Sequence, residues 1–238
     1  MKIMIFNTLY FPHIFGGAEK SVQILAEGLA DLGHEVVVVS TAPRDDVVIV
    51  NKVQVYYVRH RNLYWGGMPA THNRFLAMLW HIIDVCNPYM YRALARIVSN
   101  EKPDIIHTNM LTGFSSAPWI VARRYKIPVV HTLREYNLIC ERMSMFHKDH
   151  NCSQQCISCR LATAPKKFLT NHDFVAHVVG LSNFIIHRHQ DGKYFSGVTS
   201  SRIFNGIKDV EKHHPTARIT STLPIRILYL GRIDKAKG

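Results

Sequence analysis

The stretch KIMIFNTLYFPHIFGGAEKSVQILAEGLADLGHEVVVV, residues 2–39, decides the fold. Ile3, Met4, Ile5 and Phe6 are a continuous apolar run, the pattern of a short strand buried on both faces of a parallel sheet. After a loop ending in Gly16-Gly17, apolar residues recur at Val22, Leu25, Ala26, Leu29 and Leu32, the stripe of an amphipathic helix. Gly33 stops the helix, and Val36-Val37-Val38-Val39 opens a second extended run. Together these make a βαβ unit of about 35 residues. Its glycine loop points at a helix N-terminus, where free backbone N–H groups and the helix dipole favour an anion. Glu19 suits the dipole but repels a bare phosphate, which favours a sugar or an acceptor there. The same turn also serves as a tight connection with no ligand.

The alternation continues outward. A turn-rich segment, Ala42 to Val50, precedes an alternating strand at Val53–Val58, and Arg59–Thr71 reads as a loop. Leu76, Leu79, Trp80 and Ile83 share one helical face until Asn87-Pro88 breaks the run. Asn87 caps a new helix with Pro88 as its first residue and Leu94, Ile97 and Val98 on the buried side. Cys86 reads as a core thiol. Lys102-Pro103-Asp104 ends that helix and launches Ile105-Ile106-His107. A helix near Ser115–Tyr125, a strand at Pro128–Thr132, a helix at Leu161–Asn171 and a strand at Val175–Leu181 follow. Ser182 caps a helix from Asn183, and Asn205-Gly206 marks a turn.

Such alternation predicts an α/β fold with a doubly wound, mostly parallel, Rossmann-like sheet. Ligands of such sheets lie at the carboxyl ends of the strands. That rule collects Gly16, Gly17, His107, Asn109, Arg134 and Glu135 on one rim as a substrate or acceptor cleft. Taken singly, His107 is a strand-end histidine, and Arg134 with Glu135 a local ion pair.

With 238 residues, 47% hydrophobic and 19% charged, the chain suffices for one large or two small globular domains. Its apolar runs fall short of the ~18 residues that span a bilayer. The N-terminus starts in a strand pattern instead of a signal peptide. The expectation is a cytoplasmic protein with reduced cysteines. A net charge of +12 fits a solvated basic face, or an anionic partner such as lipid headgroups or phosphorylated substrates. The basic residues are scattered and no reading motif accompanies them, so nucleic acid is not an expected partner.

Cys140, Cys152, Cys156 and Cys159 follow C-x11-C-x3-C-x2-C, with His147 and His150 between them. Four thiolates can close a tetrahedral structural zinc site in a polar loop that has little else to hold it. Free thiols, a redox-labile disulfide or an iron–sulfur cluster answer to the same residues. Nothing in the pattern marks one thiol as a catalytic nucleophile.

Several motifs resemble those of a known family. Phe11-Pro12 with Gly16-Gly17-Ala18-Glu19 is similar to the opening of retaining glycosyltransferases of the GT-B fold, family 4, also called group 1. Lys102–His107 (K-P-D-I-I-H), Val179–Ser182, the turn Asn205-Gly206-Ile207, and Gly231-Arg232 with Lys237-Gly238 resemble further motifs, in the family's order. The cysteine-bearing loop resembles one subset of it.

The resemblance implies an N-terminal, acceptor-side domain over 1–207 and a linker over 208–224. Residues 225–238 are then the first strand of a nucleotide-sugar domain, and the family's E-x7-E segment is missing. It further implies transfer of a sugar, with retention, from a UDP- or GDP-linked nucleotide sugar to a glycan or lipid-linked acceptor. No catalytic metal is expected, and the site of action is the cytoplasm, peripheral to the inner face of the membrane. The 238 residues alone are expected to be inactive. Carried over residue by residue, Gly16 and Gly17 approach the donor diphosphate or acceptor, while Arg232 and Lys237 neutralise the diphosphate leaving group. Most members carry a His-Asp pair where this chain has Arg134-Glu135, so the histidine's role does not transfer. The alternative is a non-catalytic sugar- or nucleotide-binding module.

Overall fold

The computed structural model describes residues 1–63, 83–84, 87–171, 173–207 and 227–228. Strand β1 (Lys2–Phe6) leads through the glycine loop into α1 (Gly17–Asp31), β2 (Glu35–Ala42), β3 (Asp46–Val50) and β4 (Val53–Arg59). Then come α2 (Pro88–Glu101), β5 (Ile105–Thr108), α3 (Ala117–Arg124) and β6 (Val129–Leu133). A ribbon of β7 (Phe146–His147) and β8 (His150–Asn151) precedes α4 (Ile157–Thr170), β9 (His177–Gly180), α5 (Asn183–Asp191) and β10 (Thr199–Arg202).

Eight strands form one sheet in the order β10-β9-β6-β5-β1-β2-β4-β3. It is parallel throughout except where β3 runs against β4. The chain therefore winds away from β1 in two directions, to β2 on one side and β5 on the other. That reversal places a topological switch point at the carboxyl ends of β1 and β5, where such sheets open a crevice.

Because successive side chains on a strand point to opposite faces, β1 feeds two cores. Ile3 and Ile5 pack with Val36, Val38, Val53 and Val55 under Val22 and Ala26 of α1. Met4 and Phe6 face the other way, onto Ile106, Leu94 and Val98 of α2, and Trp119 of α3. The two helix caps legible in the sequence are in place. Asn87 Oδ1 accepts from Met90 N at 3.0 Å with Pro88 opening α2, and Ser182 Oγ accepts from Ile185 N at 3.3 Å.

Some expectations change. The segment 42–50 is not all turn: Asp46–Val50 is an antiparallel edge strand. Its β-branched run pairs with β4 while Val47 and Ile49 stay exposed, so burial does not announce it. Thr199–Arg202 is a second edge strand whose polar residues hide it, and His177 of β9 bridges to Thr199 and Ser201 across the pair. Helix α4 begins at Ile157, earlier than expected, and runs through Pro165. Proline cannot donate to the Leu161 carbonyl, but Leu161 is exposed and water can serve that group. Leu32 is the exposed C-cap of α1, outside its buried stripe, and Ile97 is only half-buried.

The expected helix through Leu76, Leu79 and Trp80, the core thiol Cys86, the linker and the strand from 225 lie outside the described residues, apart from Ile83, Ile227 and Leu228. So do the loop residues beyond Leu63 and the donor-side residues Arg232 and Lys237.

Candidate functional site

The rim at the switch point is stitched before any ligand arrives. Asn7, just past β1 and fully buried, donates to Leu9 O at 2.7 Å and accepts from Met110 N at 3.2 Å. Thr8 O receives Thr41 N at 3.0 Å and Thr41 Oγ1 at 2.7 Å. These bonds lock the loop after β1 to the end of β2 and to the loop after β5. Neither Asn7 nor Thr8 was legible as a site residue, since a polar pair after a strand is also what any turn needs.

Gly16 is the N-cap of α1, and its N–H donates to Glu19 Oε2 at 2.9 Å. A Cβ placed on Gly17 would meet nothing within 4 Å, so the fold does not require glycine there and the space before the helix end is open. Glu19 is buried and its charge faces Arg134 from the helix side. An anion at this helix end must therefore share it with a carboxylate.

Arg134 bridges three loops. Its Nε donates to Asn109 Oδ1 at 2.8 Å and its Nη1 to Asn205 Oδ1 at 2.5 Å. Burial lowers the guanidinium pKa to about 10, against the pull of Glu19 in the other direction. The expected local ion pair between Arg134 and Glu135 does not form; the charges that act on Glu135 are those of Lys166, Glu19 and Asp84. Asn205, quoted above only as a turn residue, is thus part of the rim.

His107 lies below the rim, on the α1 side of the sheet, with Nε2 2.7 Å from Thr132 Oγ1. Burial, then the charge of Arg134, pulls its pKa down to about 4, so the ring is neutral at pH 7. It lines a cavity of about 230 Å³ with Leu25, Thr132, Arg134, Phe204 and Asn205, an apolar slot that reaches the rim at Arg134.

A second cluster lies behind Glu135. Asp84 accepts from Gly113 N at 2.8 Å, and Lys166 donates to Asn137 O at 3.3 Å. Burial pushes Asp84 up to about 7, opposed by Lys166 and the backbone N–H groups of Gly113 and Ser115. It pushes Glu135 up to about 7 as well, with Lys166 opposing and Glu19 and Asp84 reinforcing. Lys166 is lowered by its own burial. The Glu135 Oε1 atom is shielded from solvent and has no hydrogen-bond partner among the described residues. Sequence reading missed Asp84 and Lys166, which come from distant segments with no motif around either.

None of Cys140, Cys152, Cys156 and Cys159 is joined in a disulfide. Cys140 and Cys159 sulfurs lie 3.9 Å apart, and Cys156 caps α4 beside Cys159. Among the described residues, no group of three or more His, Cys, Asp or Glu is arranged to hold a metal ion.

Residues 16–184 match the Glycosyl transferase 4-like domain family, which is more than half of the chain. The chain belongs to that family. Both the glycine loop and the Ser182-capped start of α5 fall inside the matched region. An uncharacterized 42.6 kDa protein in the cps region of Klebsiella pneumoniae is 35% identical over 240 residues, covering 100% of this chain. This chain spans 63% of that relative's length.

Among solved structures, sucrose-phosphate synthase from Thermosynechococcus elongatus superposes with a TM-score of 0.58 at 14% identity, over 85% of this chain and 47% of that one. The catalytic domain of starch synthase IV from Arabidopsis thaliana, bound to ADP and acarbose, gives 0.55 at 14% identity, over 87% and 51%. The likeness is one of fold, the Rossmann-like α/β domain of GT-B glycosyltransferases. No helix among the described residues is long and apolar enough to cross a membrane.

Proposed function

We propose that this chain is the acceptor-side domain of a retaining glycosyltransferase that moves a sugar from a UDP- or GDP-linked donor to a glycan or lipid-linked acceptor. The observation that carries the reading is the convergence at the switch point: Arg134 ties Asn109 to Asn205 while facing Glu19 at the open end of α1. Hydrogen-bonding cation, carboxylates and amides around an open mouth suit sugar hydroxyls and a neighbouring phosphate together. The relative from a cps region fits a glycan product. The ADP bound to starch synthase IV fits a nucleoside diphosphate leaving group.

In this reading Arg134 offsets charge developing on the donor phosphates, together with Arg232 and Lys237. Gly16 and Gly17 leave room for the diphosphate or the acceptor to approach the helix end. Glu135, with Asp84 and Lys166 behind it, accepts a hydrogen bond from an acceptor hydroxyl. No catalytic metal takes part. The net charge of +12 draws the protein to anionic headgroups on the inner membrane face, where a lipid-linked acceptor would lie. The 238 residues alone turn over no substrate, because much of the transition-state stabilisation comes from a nucleotide-sugar domain.

The test uses the full-length protein with UDP-, GDP- and ADP-sugars and a panel of glycan and lipid-linked acceptors. Acceptor-dependent release of nucleoside diphosphate, with the product's anomeric configuration retained by NMR, is the expected result. Binding of sugar or nucleotide with no release from any donor would establish the non-catalytic module instead.

A further inference from the structure

A second cavity lies on the face of the sheet away from α1 and shares no lining residue with the slot at the rim. It measures about 360 Å³ and sits where the first turn of α4 and the last turn of α5 meet the loop after β6. Its polar walls are Gln154, Arg160, Arg188 and Asp191, and Ile139 and Met145 give it an apolar side. Hydrogen bonds hold those walls. Gln155 Nε2 donates to Ile139 O at 2.7 Å and to Tyr194 OH at 3.1 Å, and the Thr163 and Tyr194 hydroxyls lie 2.7 Å apart. Arg188 Nη2 donates to Cys152 O, which fastens α5 to the loop.

Held in this way, Arg160 and Asp191 line one space without pairing, and neither side chain has a hydrogen bond or ion pair among the described residues. The unpaired guanidinium offers forked N–H donors to an anionic group, and Arg188 adds a second positive charge. Asp191 only accepts when ionised, so it asks for hydroxyl donors and repels an anion that lacks them. A ligand that satisfies all three charges carries both an anionic group and hydroxyls. Among the described residues no aromatic ring lines the cavity, so nothing there stacks on a nucleobase. The volume falls within the roughly 300–1,000 Å³ of small-molecule sites.

We infer that this cavity binds a sugar residue bearing one anionic substituent, a carboxylate or a phosphate ester, as part of an acidic glycan. Arg160 and Arg188 hold the anionic group, and Asp191 and Gln154 take ring hydroxyls. The C–H face of the ring lies on Ile139 and Met145. Because hydrogen bonds within the fold already fix the walls, binding costs little ordering. The net charge of +12 adds a long-range attraction for a polyanionic chain, which salt weakens. The cavity takes no part in transfer at the rim, and either site can fail its test without the other.

The experiment titrates the full-length protein with glucuronate, glucose 6-phosphate, glucose and inorganic phosphate, following methyl NMR signals of labelled Ile, Leu and Met. The expected result is that glucuronate, glucose 6-phosphate or both move the Ile139 and Met145 signals, while that of Leu25 in the rim slot stays still. The tighter of the two names the anionic group. Glucose and inorganic phosphate each bind at least about tenfold more weakly, since each lacks one half of what the walls ask for. Arg160→Ala lowers affinity for the tighter ligand roughly 10- to 100-fold, and Asp191→Ala narrows its margin over inorganic phosphate. No movement of Met145 with either anionic sugar, equal affinity for glucose, or unchanged affinity in Arg160→Ala would overturn the proposal. So would movement of Leu25 without Met145, which puts the anionic sugar at the rim. If Arg160→Ala does not fold, the four titrations of the wild-type protein still decide.

Discussion

Arg134 Nε donates to Asn109 Oδ1 across 2.8 Å, joining the end of β6 to the end of β5 on the rim of the sheet. With its other arm on Asn205, the guanidinium is fixed in place before substrate binds. A pre-positioned cation needs little reorganisation when charge develops on a leaving diphosphate. On the proposed function, Arg134→Ala is expected to lower kcat/KM of the full-length protein by roughly 10- to 1000-fold. Arg134→Lys should recover little of it, because an ammonium cannot hold two amides in a planar fork. Steady-state kinetics on both variants check this, and wild-type activity in Arg134→Ala would remove the residue from the site.

Gly180 ends β9 where the sheet meets α5. A Cβ there would stand 2.2 Å from Ile186 Cγ1, 2.7 Å from its Cδ1 and 3.1 Å from Ser182 O. Gly180→Ala should therefore cost about 1–3 kcal/mol by overpacking. The double variant with Ile186→Ala should be less destabilised than the sum of the two single changes, as measured by urea unfolding. Strict additivity would show that the close approach is not there.

Asn87 holds the start of α2 at both ends of its side chain: Oδ1 accepts from Met90 N, and Nδ2 donates to Arg61 O at 2.7 Å. Asn87→Ala should destabilise by about 1–2 kcal/mol, whereas Asn87→Ser keeps the cap and loses less. Unfolding midpoints of the two variants separate the cap from the second bond.

Much of the fold was legible because the parallel strands β1 and β2 are unbroken apolar runs and the caps Asn87 and Ser182 are local chemistry. The edge strands β3 and β10 escaped because pairing, not burial, makes them strands, and no periodicity marks a polar run such as Thr199–Arg202. The rim followed from strand order, so Gly16, Asn109 and Arg134 could be placed together in advance. The ionic cluster could not. Asp84, Glu135 and Lys166 meet only in three dimensions.

Three buried histidines make the fold sensitive to acid. Burial holds His107 and His189 near about 4 and His131 near about 3, below the ordinary 6.5. Each therefore contributes stability that is fully present above about pH 6.5 and is lost as pH falls towards the folded value. Asp84 and Glu135, raised to about 7, work in the opposite sense. They favour folding at acid pH and lose that contribution as pH rises from about 4 to 7. His131 stacks on Phe195 at 5.9 Å and meets Trp119 edge-on at 5.2 Å, so His131→Phe preserves the packing and removes one titration. Between pH 4.5 and 6.5 its stability should depend on pH less steeply than wild type, by up to about 1.4 kcal/mol per pH unit. Urea unfolding at several pH values gives the difference. Parallel curves would mean that His131 does not titrate differently on folding.

Glu135 sets the last expectation. Its carboxyl, raised to about 7 by burial, is protonated in acid and ionised in mild alkali, and only the ionised form offers both oxygens as acceptors. If Glu135 receives an acceptor hydroxyl, the acceptor KM should rise as pH falls through about 7, while donor KM stays level. Glu135→Gln removes the titration and weakens a charge-assisted bond worth about 1.5–3 kcal/mol, so acceptor KM should increase roughly 10- to 100-fold and lose its pH inflection. The same substitution takes away a charge that is costly to bury, so it should not lower stability above pH 7 as a broken ion pair would. An unchanged inflection near pH 7 in Glu135→Gln would assign that proton to another group, with Asp84 next in line because its carboxyl is held at a similar value by the same burial.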